Sequence, residues 1–525
     1  MLKLVKVIKS NKTKAFFLLI LLLSLTRIDF RFDEINPGSF VDDAEYYYHV
    51  QTIAIDKDLD YSNQMPNTPY RNLNADDPSK VLPVHSIGVG IFAAPIIFFA
   101  NSISGVINLD SLISFNYFVY SFIPVFYLFL SYKLLIKLFT RNKIKINNNL
   151  LLLIITGSGV SYFAFERFSM SHVYEFFGTT LCVFAVDKLL YEKSKIKRHT
   201  LCFLLPIVIF LVLTIRWSNY YLILLPLFAN TFLKKDSKLL YIEPFFIFGF
   251  FTGLTLFLIH TKYLYGIYTL NPSDIFLVVE NRISSDYYRF FDSSMILENI
   301  QFIFKTFLII NISQEFGLAY FSPILFFGNF LMFFYLFKKE FVKLVVVSGT
   351  LFFPFFSTLV LNNPGYSYGY RYFYSTIPLF IIIFFTEFQK KKVFNSYLVY
   401  FSVLAIIFQL FFETSPYVVL SSDYVTNTFG LYTKYVNPVI LTGMFKSFLI
   451  FDSYLNIIFT SFVGVFIIKF ISLFTSPSEF ISRFRNPDEK IIELIEMSLS
   501  FSWVMYLLVI LFYIYIIRNL IAEKN

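Results

Sequence analysis

Long apolar blocks recur along this chain at 15–25, 112–136, 239–259, 341–361 and 501–517, with short polar tracts between them. A helix that crosses a bilayer needs about 20 such residues. The pattern predicts an all-α polytopic membrane protein with about 11–13 transmembrane helices. The basic start (Lys3, Lys6, Lys9, Lys12 and Lys14) precedes the run Ala15–Leu25, and no small-residue cleavage site follows. That reads as an uncut signal anchor, the first spanning helix.

The positive-inside rule then orients the chain. With the basic N-terminus inside, residues 29–85 form a long outer loop with eleven Asp or Glu against Arg31, Lys57, Arg71 and Lys80. The apolar stretch 85–103 contains Gly88, Gly90 and Pro95. If it crossed, the cluster Lys133, Lys137, Arg141, Lys143 and Lys145 after the 112–136 helix would lie outside, so a juxtamembrane helix in the first outer loop is expected. Further helices are expected at 150–165, at 172 to about 190, as two short helices within 200–233, and at 239–260, 317–337, 341–361, 373–387, 394–411, 453–474 and 501–518. The expected division is a catalytic module over 1–411, with outer loops 29–111 and 261–300, and a C-terminal segment 412–525. That segment holds an outer loop, one or two further spans and an inner amphipathic stretch at 476–500.

Composition sharpens this picture. The chain is 57% hydrophobic and only 15% charged, unlike a soluble domain. Its +9 formal charge is spread over short tracts between apolar blocks, which orient a membrane protein and meet anionic lipid. Nucleic acid is not an expected partner, because no soluble domain offers a basic face. Two cysteines, Cys182 and Cys202, are too few for a disulfide framework. No internal repeat points to a transporter of two similar halves. The hydrophilic mass lies in the outer loops, which places chemistry at the outer face.

Three polar stretches stand out. Val41–His49 contains Asp42, Asp43, Glu45 and Tyr46 just beyond the first helix. If the stretch is helical, Asp43, Tyr47 and Val50 share one face and Asp42, Glu45 and His49 another. Either acid can serve as a general base, and a solvated acidic loop is the plain alternative. Asp56, Asp58 and Asp60 lack the glycine and terminal glutamate of a calcium loop. The second stretch, Phe165–Glu175, carries Glu166, Arg167, His172 and Glu175 at an outer turn and the top of an apolar helix, where polar groups are expensive. A Glu–Arg pair there suits an anionic group, and snorkelling side chains are the plain alternative. The third, Gly365–Tyr372, carries Tyr370 and Arg371 before an apolar helix, and an arginine at a helix start can hold phosphate. Arg216, followed by Trp217, tips a pair of apolar helices, and His85 precedes the glycine-bearing stretch. An interfacial arginine in an aromatic belt and an ordinary interfacial histidine are the plain readings of these positions.

The order of these motifs resembles the GT-C superfamily of membrane glycosyltransferases, whose members include the protein O-mannosyltransferases and the lipid A aminoarabinose transferase. Asp42-Asp43-Ala44-Glu45-Tyr46 is similar to the first outer-loop motif, and Pro83 through Pro95 to the segment that packs as a juxtamembrane helix. Phe168-Ser169-Met170-Ser171-His172 resembles the second outer turn, and Glu315 through Pro323 a helix entrance. Ser367 through Arg371-Tyr372 and on to Ile377-Pro378 resembles the late arginine motif, with Tyr370 where the family often has proline. The tryptophan-rich signature of oligosaccharyltransferases is not seen.

The resemblance implies an inverting transfer of sugar from a polyprenyl-phosphate donor to an acceptor hydroxyl, at the outer face of the cytoplasmic (inner) membrane. It gives Asp43 the role of base, with Asp42 the alternative and Glu166 a further acid. Arg371, Arg216 and Arg167 would hold the donor phosphate, and His85, His172, Tyr46 and Tyr370 would contact substrate. The acceptor would be lipid, glycan or protein. The scheme needs no cofactor or metal, although some relatives use a divalent ion. The rival expectation is a lipid-linked glycan transporter, flippase or polymerase without this chemistry.

Overall fold

The structure, a computed structural model, describes residues 41–65, 74, 76–77, 79–83, 85–107, 115–165, 168–233, 238–270, 296–312, 317–361, 370–411, 470, 474 and 503–522. Its elements are helices: α1 (Val41–Gln51), α2 (Gly88–Ile107), α3 (Phe115–Arg141), α4 (Asn148–Thr156), α5 (Val160–Phe165), α6 (His172–Tyr191), α7 (Lys195–Leu213), α8 (Leu225–Phe232), α9 (Pro244–Tyr265), α10 (Ile296–Ile312), α11 (Leu318–Phe321), α12 (Pro323–Phe337), α13 (Phe341–Leu361), α14 (Ile377–Ile383), α15 (Lys392–Phe411) and α16 (Trp503–Ala522). Short 3-10 helices at Trp217–Leu224 and Arg371–Thr376 lead into α8 and α14.

Among the described residues four helices are long and apolar enough to cross a membrane: Phe115–Arg141, Lys195–Leu213, Pro244–Tyr265 and Phe341–Thr358. The chain is an all-α, multi-pass membrane protein. Of the shorter apolar helices, Pro323–Phe337 packs on the 341–361 helix and Lys392–Ile407 packs on Pro323–Phe337. The expected anchor at 15–25, the span at 453–474 and the amphipathic stretch at 476–500 lie outside the described residues.

Several expected boundaries move for identifiable reasons. Residues 150–165 form two helices rather than one. They part at Gly157–Gly159, where a Cβ on Gly159 would sit 2.0 Å from the Tyr374 hydroxyl. Asn147 starts the first of them, its side-chain oxygen accepting from the Asn149 and Leu150 amides. Pro206 does not shorten α7, which runs unbroken for 19 residues; neighbouring helices in an apolar bundle absorb the missing donor. α10 begins inside the stretch expected to be outer loop to residue 300. Its Glu298 and Lys305 interrupt the apolar run that would have announced it. Residues 88–107 form a helix interrupted by no break at Pro95, and it packs on α1 and α3.

α7 and α9 pack tightly against each other. Gly249 and Gly253 on α9 are spaced as a small-xxx-small pair, and a Cβ on Gly249 would lie 2.1 Å from the Phe203 carbonyl oxygen. Away from the two glycines α9 exposes Phe248, Phe251 and Ile259, a surface suited to lipid. Gly249→Leu is therefore expected to force these helices apart and destabilise the protein by about 1–3 kcal/mol, the usual penalty of overpacking. A lowered melting temperature in detergent checks this.

Candidate active site

α1 is buried on more than one side: Glu45, Tyr46, Tyr47, His49 and Val50 are all enclosed. Tyr47 packs edge-on against Tyr117 of α3, with ring centroids 4.8 Å apart. The opposite side faces the turn before α2. Glu45 accepts hydrogen bonds from the His85 backbone N–H at 3.0 Å and from its Nδ1 at 2.7 Å. His49 Nε2 donates to the His85 carbonyl at 2.7 Å, so Nδ1 accepts from the Tyr61 hydroxyl at 2.7 Å. Burial pushes the His49 pKa down to about 3, so the ring is neutral and keeps that tautomer. Glu45 and His49 are four residues apart on one helix face, and both meet the same residue.

Two glycines let α2 sit between α1 and the tip that carries Arg216. A Cβ on Gly90 would lie 2.6 Å from His49 Cβ, and one on Gly88 would lie 2.3 Å from the Ile215 backbone nitrogen. The Gly88 N–H donates to the Thr214 carbonyl at 2.9 Å. The first turn of α2 thus fixes the Arg216 backbone relative to α1.

Arg216 is the hub. Its Nε lies 3.5 Å from Glu175 Oε1, its Nη2 donates to the Tyr46 hydroxyl at 3.5 Å, and its guanidinium carbon sits 5.1 Å from the Tyr372 ring centre. Nη1 is buried with no hydrogen-bond partner among the described residues. Glu175, on the first turn of α6, is 0% exposed. Its Oε1 accepts from Ser171 Oγ at 2.7 Å and lies 3.3 Å from His172 Nδ1. Arg371, 7% exposed, places its guanidinium carbon 5.8 Å from the same Tyr372 ring. Two arginines far apart in sequence therefore meet at one tyrosine. One turn along α6, Thr179 meets the Tyr221 hydroxyl at 3.0 Å, and polar contact continues into the bundle.

The structure brings together six of the sequence candidates. Tyr46 touches Arg216, and its ring lies 5.0 Å from that of His85. His172 lies beside Glu175, and its ring centroid is 6.0 Å from that of Tyr374, three residues beyond Arg371. Tyr370 is buried immediately before Arg371. The α1 backbone holds Asp42 and Asp43 about one turn before Tyr46, but their side chains lie outside the described residues, as do Glu166 and Arg167 entirely. Asp56 is used in loop structure, accepting from Asn63 and Gln64. Among the described residues no group of three or more His, Cys, Asp or Glu is arranged to hold a metal.

Sequence reading singled out Glu175 only as an expensive polar group, and it passed over Tyr61, Ser171 and Tyr372 as partners. Ser171 and Tyr372 lie inside motifs at outer helix ends, whereas Tyr61, twelve residues beyond His49, had no such signal.

No family model matches this chain. No curated protein matches it either. Among solved structures it has a weak likeness to the archaeal oligosaccharyltransferase AglB from Archaeoglobus fulgidus, solved with an inhibitory peptide and a dolichol-phosphate, at 12% identity and a TM-score of 0.35. The likeness covers 91% of this chain and 60% of that one, so this chain spans less than two thirds of the archaeal enzyme's length. A likeness of that degree assigns neither family nor reaction.

Proposed function

We propose that this protein is an inverting glycosyltransferase of the GT-C type, which moves a sugar from a polyprenyl-phosphate donor to an acceptor hydroxyl at the outer membrane face. One observation carries the reading. Arg216 and Arg371 converge on Tyr372, and Arg216 also reaches Tyr46 on the helix that bears Asp42 and Asp43. A leaving phosphate needs a preorganised positive clamp, and guanidinium is the group that suits it. An attacking hydroxyl needs one base, and Asp43, with Asp42 the alternative, takes that part.

The step is a single displacement. The acceptor oxygen bonds to the anomeric carbon as the bond to the phosphate oxygen breaks. The phosphate leaves with the electron pair, held by the arginines, and the hydroxyl proton passes to the carboxylate. Attack from the side opposite the leaving group inverts the anomeric carbon. The prenyl tail stays in the bilayer, which the apolar helices line.

The test uses the full chain in nanodiscs, a panel of synthetic polyprenyl-phosphate hexoses, and membrane extract from the source cell as acceptor. Sugar should be transferred from at least one donor, polyprenyl phosphate should be released, and the product anomer should be inverted by NMR. Lipid-linked sugar that crosses proteoliposome bilayers without transfer would replace this reading with that of a flippase.

A further inference from the structure

We infer that Glu175 is the positioning residue for Arg216: it fixes one edge of the guanidinium so that the remaining nitrogens point to Tyr46 and to the donor phosphate. This rests on the donor-phosphate role of Arg216 proposed above. Glu175 belongs to helix α6, is 0% exposed, and lies 3.5 Å from Arg216 Nε through Oε1. Ser171 Oγ donates to that same oxygen at 2.7 Å, and His172 Nδ1 stands 3.3 Å from it. The carboxylate is thus held from its own helix before it meets the arginine.

An arginine on a chain tip has four rotatable side-chain bonds and little reason to hold one pose. Here three restraints select one. Nε faces Glu175, Nη2 faces Tyr46 and the flat face lies near Tyr372. Nη1 is left without a partner among the described residues. Glu175 is the only one of these partners that carries charge, so it supplies the strongest restraint. A buried carboxylate at the end of an apolar helix is expensive unless paired, and the pairing it makes is with this arginine. A carboxylate repels phosphate, so on this reading the effect of Glu175 passes through Arg216.

The experiment measures binding of sugar-free undecaprenyl phosphate to the full chain by native mass spectrometry, with uncharged undecaprenol as the control for tail binding. Wild type should bind the phosphate form in preference to the alcohol. Glu175→Gln should weaken phosphate binding by about tenfold or more, the worth of one hydrogen bond to a charged group, and leave undecaprenol unchanged. Arg216→Gln should weaken it similarly, and the double variant should bind no worse than Arg216→Gln alone. Such non-additivity marks a residue that acts through another, whereas a residue that affects binding independently of Arg216 gives additive losses. Ser171→Ala, the milder variant, should shift binding in the same direction by about threefold if Glu175→Gln fails to fold. Additive losses, or unchanged phosphate binding in both Glu175→Gln and Ser171→Ala, would overturn the positioning role and leave the proposed function standing. No preference of wild type for phosphate over the alcohol would overturn the donor class and the positioning role with it.

Discussion

Asp43→Asn is expected to reduce sugar transfer by about a thousandfold, within the span of general-base losses, while undecaprenyl phosphate binding stays at the wild-type level. Asparagine keeps the shape of the side chain and cannot take a proton. Its position is fixed by the helix that bears it. α1 is tied to the turn before α2 by Glu45 on His85, and to Tyr61 through His49. It is tied to the arginine hub through Tyr46. A base one helical turn from Tyr46 is therefore carried on a rigid element, which is what catalytic groups require. Asp42→Asn is the paired control. If Asp42→Asn shows the large loss and Asp43→Asn does not, the base is Asp42; if neither variant loses transfer, α1 carries no base. Size exclusion and circular dichroism establish that each variant is folded.

How much of this could be read from the sequence differs by feature. Spans set by long apolar runs were legible, and the helix over 341–361 has the expected bounds. The helical face shared by Glu45 and His49 was legible too, because periodicity needs only local sequence. Their common partner was not, because His85 lies 40 residues from Glu45. The same holds for Arg216 and Glu175. Arg216 is expected at the donor phosphate and Glu175 is an expensive polar group, but only packing of the 214–216 tip against α2 and α6 makes them a pair. Glycines carried more information than was taken from them. Gly88 and Gly90 read only as members of an apolar stretch, yet each marks a place where a second backbone or side chain needs the space of a Cβ. α10 went unseen because Glu298 and Lys305 break its apolar run, and hydropathy alone does not register a helix that tolerates them. Three prolines do not mark helix ends here: Pro95, Pro206 and Pro354 all lie inside continuous helices.

Arg216→Gln is expected to lower kcat/KM for transfer by about a hundredfold to a thousandfold, as loss of one preorganised donor to a developing anion does elsewhere. Glutamine keeps a polar group near Tyr46 but removes the charge that the leaving phosphate needs. It also leaves Glu175 buried without its arginine, so a lower melting temperature should accompany the loss of activity. Arg216→Lys separates the two effects. Lysine restores the charge and pairs with Glu175, so stability should return. A single ammonium has no planar fork with which to meet Glu175, Tyr46 and a phosphate together, so most of the activity should stay lost. Lysine that restores both stability and turnover would mean that the site needs only positive charge at this position. The geometry around Tyr372 predicts the other result, because Arg216 meets Glu175 with one nitrogen, Tyr46 with a second, and leaves a third for the phosphate oxygen.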